Sequence, residues 1–113
     1  MRGEGHGALS AAIMKIFNTK RMEFTTASEF INVVKQRYKK ANDLKANISP
    51  YMAIVIMVSQ LQEIPELRTT IEIRNHEMKK IKDPVKEISI NDLFKYCVDL
   101  HDKIREFGID GWN

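Results

Sequence analysis

Ser49-Pro50-Tyr51-Met52-Ala53-Ile54-Val55-Ile56-Met57-Val58-Ser59-Gln60-Leu61 decides the fold class of this 113-residue chain. Serine before proline reads as an N-cap and a first helical residue, because proline lacks only an N–H that the first turn of a helix cannot pair. Ile54-Val55-Ile56 is β-branched, so a buried strand is the competing reading; the proline start and the continuation to Leu61 favour a helix. Its residues are apolar all round, which predicts a central helix covered on most sides by others.

Outward from that segment, apolar residues recur at steps of three and four. Leu9, Ala12, Ile13, Ile16 and Phe17 predict a helix over 8–18. Thr26-Ala27-Ser28-Glu29 has the form of a capping box and leads into Phe30, Val33, Val34, Tyr38 and Ala41. Asn42-Asp43 begins a linker from which Leu44 and Ile48 fold back onto the core. Pro65 opens a further helix with Leu67, Ile71, Met78 and Ile81 inward, and Asp83-Pro84 ends it, since the residue before proline is driven out of helical geometry. Ser89-Ile90-Asn91-Asp92 caps the last helix, with Ile88 and Leu93 at the positions of a hydrophobic staple. That helix carries the stripe Leu93, Cys97, Leu100, Ile104, Phe107, and Gly108 stands where a left-handed cap belongs. The expectation is an all-α bundle of about five helices over 8–108, a loose glycine-rich segment over 1–7 and a tail over 109–113.

A chain of this length buries roughly two thirds of its unfolded surface and so holds a core as one domain. One cysteine, Cys97, excludes an internal disulfide and points to a reducing compartment. The N-terminus has no signal-peptide core, and the longest apolar run, Met52 to Val58, is far below a membrane span. The 18 basic residues are offset by 15 acidic ones along the same helices, whereas dedicated nucleic-acid binders segregate their basic residues. The densest basic stretch holds Lys35, Arg37, Lys39 and Lys40; a solvated helix face is its bland reading and an RNA contact its functional one.

Enzyme and metal signatures are lacking. Cys97 and His101 share one helix at i, i+4, but structural zinc needs four ligands and no second pair is visible. Glu63/Glu66 and Asp99/Asp102 read as solvated carboxylates, and His6 and His76 have no partner at useful spacing. Met14, Met52, Met57 and Met78 read as core or interface filler. Trp112 in the Gly-Trp-Asn end is either disordered or docked on another surface. No cofactor, metal or catalytic centre is expected.

Taken in order, several phrases resemble the capsid C-terminal domain in Gag of copia-type LTR retrotransposons. They are Glu29-Phe30 at a helix opening, Ile48-Ser49 at the start of the buried helix, and Leu61 ahead of the Pro65 turn. Ile88-Ser89-Ile90-Asn91-Asp92-Leu93-Phe94 then begins a helix running to Leu100-His101 and Ile104. The resemblance spans Thr26 to Phe107. No CCHC zinc knuckle, no protease Asp-Ser/Thr-Gly and no capsid N-terminal domain accompany it, which implies a fragment, a cleaved capsid piece or a domesticated remnant. It implies a structural module that pairs with itself and with full-length Gag, building a cytoplasmic virus-like particle around RNA. Residues off the core stripes, Ile31, Ile73, Phe94 and Val98, are the interface candidates, with core packing as their bland reading. A Gag-derived inhibitor of assembly and a helical adaptor or RNA-binding module are the alternatives.

Overall fold

In a computed structural model, residues 2–109 are described; Trp112 lies outside them. Six α-helices follow one another, with no strand among the described residues: α1 Arg2–Phe17, α2 Ala27–Asp43, α3 Pro50–Leu61, α4 Pro65–Met78, α5 Pro84–Glu87 and α6 Ile90–Phe107. A single 3₁₀ turn, Arg21–Glu23, joins α1 to α2. The Ile54-Val55-Ile56 segment is helical, as the proline start predicts.

The helix starts follow local chemistry. Ser49 Oγ accepts from Met52 N–H at 3.2 Å, and Pro50 takes the first helical position. At α6 the box is reciprocal: Asp92 N–H donates to Ser89 Oγ at 3.2 Å, and Ser89 N–H donates to Asp92 Oδ2 at 2.9 Å. At α2 only half of it forms. Thr26 Oγ1 accepts from Glu29 N–H, while the Glu29 carboxylate takes the Thr25 hydroxyl instead. Ile88 and Leu93 are both buried at staple positions. Gly108, at φ 65°, closes α6 in the left-handed region, and Ile109 N–H reaches back to Ile104 O to complete a Schellman turn. Ile109, expected in the loose tail, therefore packs against the core.

Two expectations need correction. The glycine-rich start is helical from Arg2, because glycine lowers helix propensity without forbidding the geometry. Helix α5 arises where only a helix end was expected: α4 stops at Met78, and Pro84 opens a new turn as Pro50 and Pro65 open theirs.

Helix α3 packs against α2, α4, α5 and α6, and α1 lies along α2. The core joins Phe30, Ile31 and Val34 of α2 to Ile54, Met57 and Leu61 of α3. Leu67 and Ile71 of α4 and Leu93, Cys97 and Leu100 of α6 complete it. Central as it is, α3 is not covered all round. The molecule is a slab of 49 × 35 × 18 Å, about two helix diameters thick. One side of α3 therefore faces outward, leaving Met52 and Val55 exposed.

Candidate association surface

Helices α4 and α6 pack together, and the Arg74 guanidinium reaches across to the Asp99 carboxylate in an ion pair. The same guanidinium lies over the Tyr96 ring, 5.7 Å from its centroid, so one cation ties α4 to two residues of α6. Around this pair a few apolar side chains lie among charged ones. Ile73 borders the hollow formed by Arg74, Glu77, Asp99 and Asp102, and Phe94 and Val98 border an adjoining one that shares Arg74 and Asp99. Ile73 is 59% and Val98 55% exposed, whereas Phe94 is half-buried. The structure thus brings together three of the four interface candidates on one face.

Ile31 is not among them. It is fully buried, because α2 is packed by α1, α3 and α6 and its apolar stripe widens by one residue beyond Phe30. A side chain with no accessible surface cannot meet a partner.

The basic stretch of α2 divides. Lys35 and Lys39 lie over the Phe94 ring, at 5.4 and 5.8 Å from its centroid, a favourable cation–π arrangement that covers part of this aromatic. Lys40 and Arg37 turn the other way, toward the cleft between α1 and α2. Arg37 donates to Thr19 Oγ1 at 2.8 Å, pairs with Glu23 at 3.5 Å and stacks over Phe24. It is engaged in holding α1 and the 3₁₀ turn to α2. A single RNA-facing row of Lys35, Arg37, Lys39 and Lys40 is therefore not formed, because positions two apart on a helix point to different sides.

Several other sequence candidates have separate places in the structure. Cys97 is buried with Sγ 3.8 Å from Met57 Sδ, and burial pushes its thiol up to about 11. His101 is held below its ordinary value by desolvation and then by Lys35 and Arg105. Glu63 pairs with Arg21 at 3.0 Å, whereas Glu66, expected to be solvated, is half-buried with its Oε2 shielded from solvent and without a hydrogen-bond partner. Asp99 and Asp102 have separate partners, Arg74 and Arg105. Among the described residues no three His, Cys, Asp or Glu side chains come together in a metal-binding group, and no helix is long and apolar enough to cross a membrane.

Two features escaped the sequence reading. Tyr96 is buried with a hydroxyl that has no hydrogen-bond partner; burial raises its pKa to about 12 despite the nearby Arg74 charge. The second is an apolar groove beside Val55, bordered by Met78 and Ile81. Its only sequence signal is that α3 lacks a polar face. No family model, curated protein or solved structure matches the chain.

Proposed function

We propose that the chain is a self-association module of the copia-type Gag capsid kind, which forms dimers and higher oligomers during assembly of a particle. The observation that carries this reading is the α4–α6 face, where Ile73, Val98 and part of Phe94 stay in the open around the Arg74–Asp99 pair. Solvent-facing aliphatic side chains gathered on one face are what a self-complementary contact requires. Further support comes from the order of helices between Thr26 and Phe107, with side-chain caps at Thr26, Ser49 and Ser89, which follows the phrases that carry the resemblance. No catalytic role is assigned.

Light scattering over a concentration series tests the proposal. The wild-type chain is expected to gain mass with concentration, and Val98→Asp to remain smaller at each concentration with an unchanged far-UV circular dichroism spectrum. A wild-type chain that stays monomeric throughout rules the reading out.

A further inference from the structure

Lys35 and Lys39 of α2 approach one ring of α6, their ammonium groups 5.4 and 5.8 Å from the centroid of Phe94. Phe94 also borders a hollow of about 340 Å³ together with Asn91, Lys95, Val98 and the Arg74–Asp99 pair. Lys39, Lys95 and Val98 are exposed, and Lys35 and Phe94 are half-buried. An aromatic and an aliphatic side chain thus lie among three lysines drawn from two helices.

The charges at this seam do not cancel. None of Lys35, Lys39 and Lys95 forms an ion pair among the described residues. The nearby carboxylates of α6 are engaged elsewhere: Asp99 pairs with Arg74 and Asp102 with Arg105. Asp92 lies within electrostatic reach of Lys95, but it accepts from the Ser89 N–H and borders a separate hollow with Arg74 and Glu77. Asp43, about one turn beyond Lys39 on α2, makes no ion pair with it.

We propose that the seam between α2 and α6 receives an acidic, apolar segment of a partner protein, whose carboxylates meet Lys35, Lys39 and Lys95 while an apolar side chain between them rests on Val98 beside Phe94. Opposed charges across a contact set register and speed the encounter, and the apolar seat supplies affinity. A single-stranded nucleic acid fits the seam less well. It binds by stacking bases on open aromatic faces, whereas Phe94 is half-buried with two ammonium groups over its ring, and the side chain left in the open is the aliphatic Val98, 55% exposed. Val98 belongs to the α4–α6 face as well, so the segment and a second copy compete for it; docking of the segment does not depend on self-association.

Fluorescence anisotropy with a short labelled peptide of glutamate, leucine and glycine tests this, at protein concentrations where light scattering finds a single mass. Saturable binding is expected, weakening as salt is added. Lys35→Glu with Lys39→Glu is expected to lose at least about tenfold in affinity. Lys80→Glu with Lys82→Glu, in the exposed turn after α4, removes the same charge elsewhere and is expected to leave binding near the wild-type value. No binding by the wild-type chain, or equal losses in the two double variants, overturns the proposal.

Lys95→Glu, at an exposed position, keeps the test decisive if a carboxylate over the Phe94 ring impairs folding, and it is expected to weaken binding in a chain with an unchanged far-UV circular dichroism spectrum. Two further probes separate the occupants. A peptide with serine in place of leucine is expected to bind more weakly, and equal binding removes the apolar seat and with it the proposal. Oligouridylate that binds as tightly as the acidic peptide, and loses affinity in the Lys35 and Lys39 variant, makes the seam a nucleic-acid contact and likewise overturns the proposal.

Discussion

Asn42 grips the backbone of Ile48 from both sides: its Nδ2 donates to Ile48 O at 2.9 Å, and its Oδ1 accepts from Ile48 N–H at 2.7 Å. This closes the linker between α2 and α3 and holds the buried Ile48 side chain in the core. Asn42→Ala leaves both Ile48 groups without these partners in a partly buried place, which costs about 1–3 kcal/mol for each group that stays unsatisfied. Urea unfolding is expected to show a loss toward the upper part of that range. Asn42→Asp keeps the acceptor and removes the donor, so it is expected to fall between alanine and wild type.

Lys45 stands at φ 67°, in a Schellman turn in which Ala46 N–H reaches Ala41 O and Lys45 N–H reaches Asn42 O. A left-handed conformation costs a residue with a Cβ roughly 1–2 kcal/mol. Lys45→Gly relieves that strain, partly offset by the greater freedom of glycine in the unfolded chain. Thermal denaturation is expected to show a net gain of about 0.5–1 kcal/mol.

Two aliphatic residues, both read at first as interface candidates, separate sharply. Ile31→Ala opens a cavity in the core and is expected to lose about 2–5 kcal/mol of folding stability. Val98→Ala acts on a solvated face and is expected to change stability by less than about 0.5 kcal/mol, while weakening association measured by sedimentation. Equal destabilisation by the two changes would contradict the assignment of faces.

The Ser89–Asp92 box makes the α6 terminus sensitive to acid. Hydrogen bonding from the Ser89 backbone lowers the Asp92 pKa from its ordinary 3.8 against an opposing desolvation effect, and the Ser89 side chain, Lys95 and Arg74 lower it further. A depressed folded value means that the box stabilises the fold above about 3.8 and loses that contribution as pH falls through the lower folded value. The stability gap between wild type and Asp92→Asn is therefore expected to be open at neutral pH and to close in acid. Ser89→Ala, followed by denaturant unfolding at pH 7, is expected to lose about 1 kcal/mol as a lost cap.

Local chemistry made much of the fold legible. Ser49, Pro50, Pro65, Ser89, Asp92 and Gly108 act on backbone groups within a few residues of themselves, so their roles at helix ends can be read without tertiary knowledge. The stripe Leu93, Cys97, Leu100, Ile104 is buried as its spacing predicts. Other positions resisted for an equally physical reason. A period of 3.6 identifies an inward face but not its width, which depends on how many neighbours a helix has. Ile31 is buried because three helices surround α2, whereas Phe107, on the predicted stripe, is 54% exposed at the last position of α6.

The sequence by itself determined the all-helical class, the caps and the central place of the segment from Pro50 to Leu61, because those follow from backbone hydrogen bonding and apolar content along the chain. Only the tertiary structure decided that Ile73, Phe94 and Val98 share a face around Arg74 and Asp99, that Arg37 is engaged between α1 and α2, and that Val55 looks out of the slab. Those relations join residues far apart in sequence. They depend on which helix packs against which, and spacing along a single helix carries no record of its neighbours.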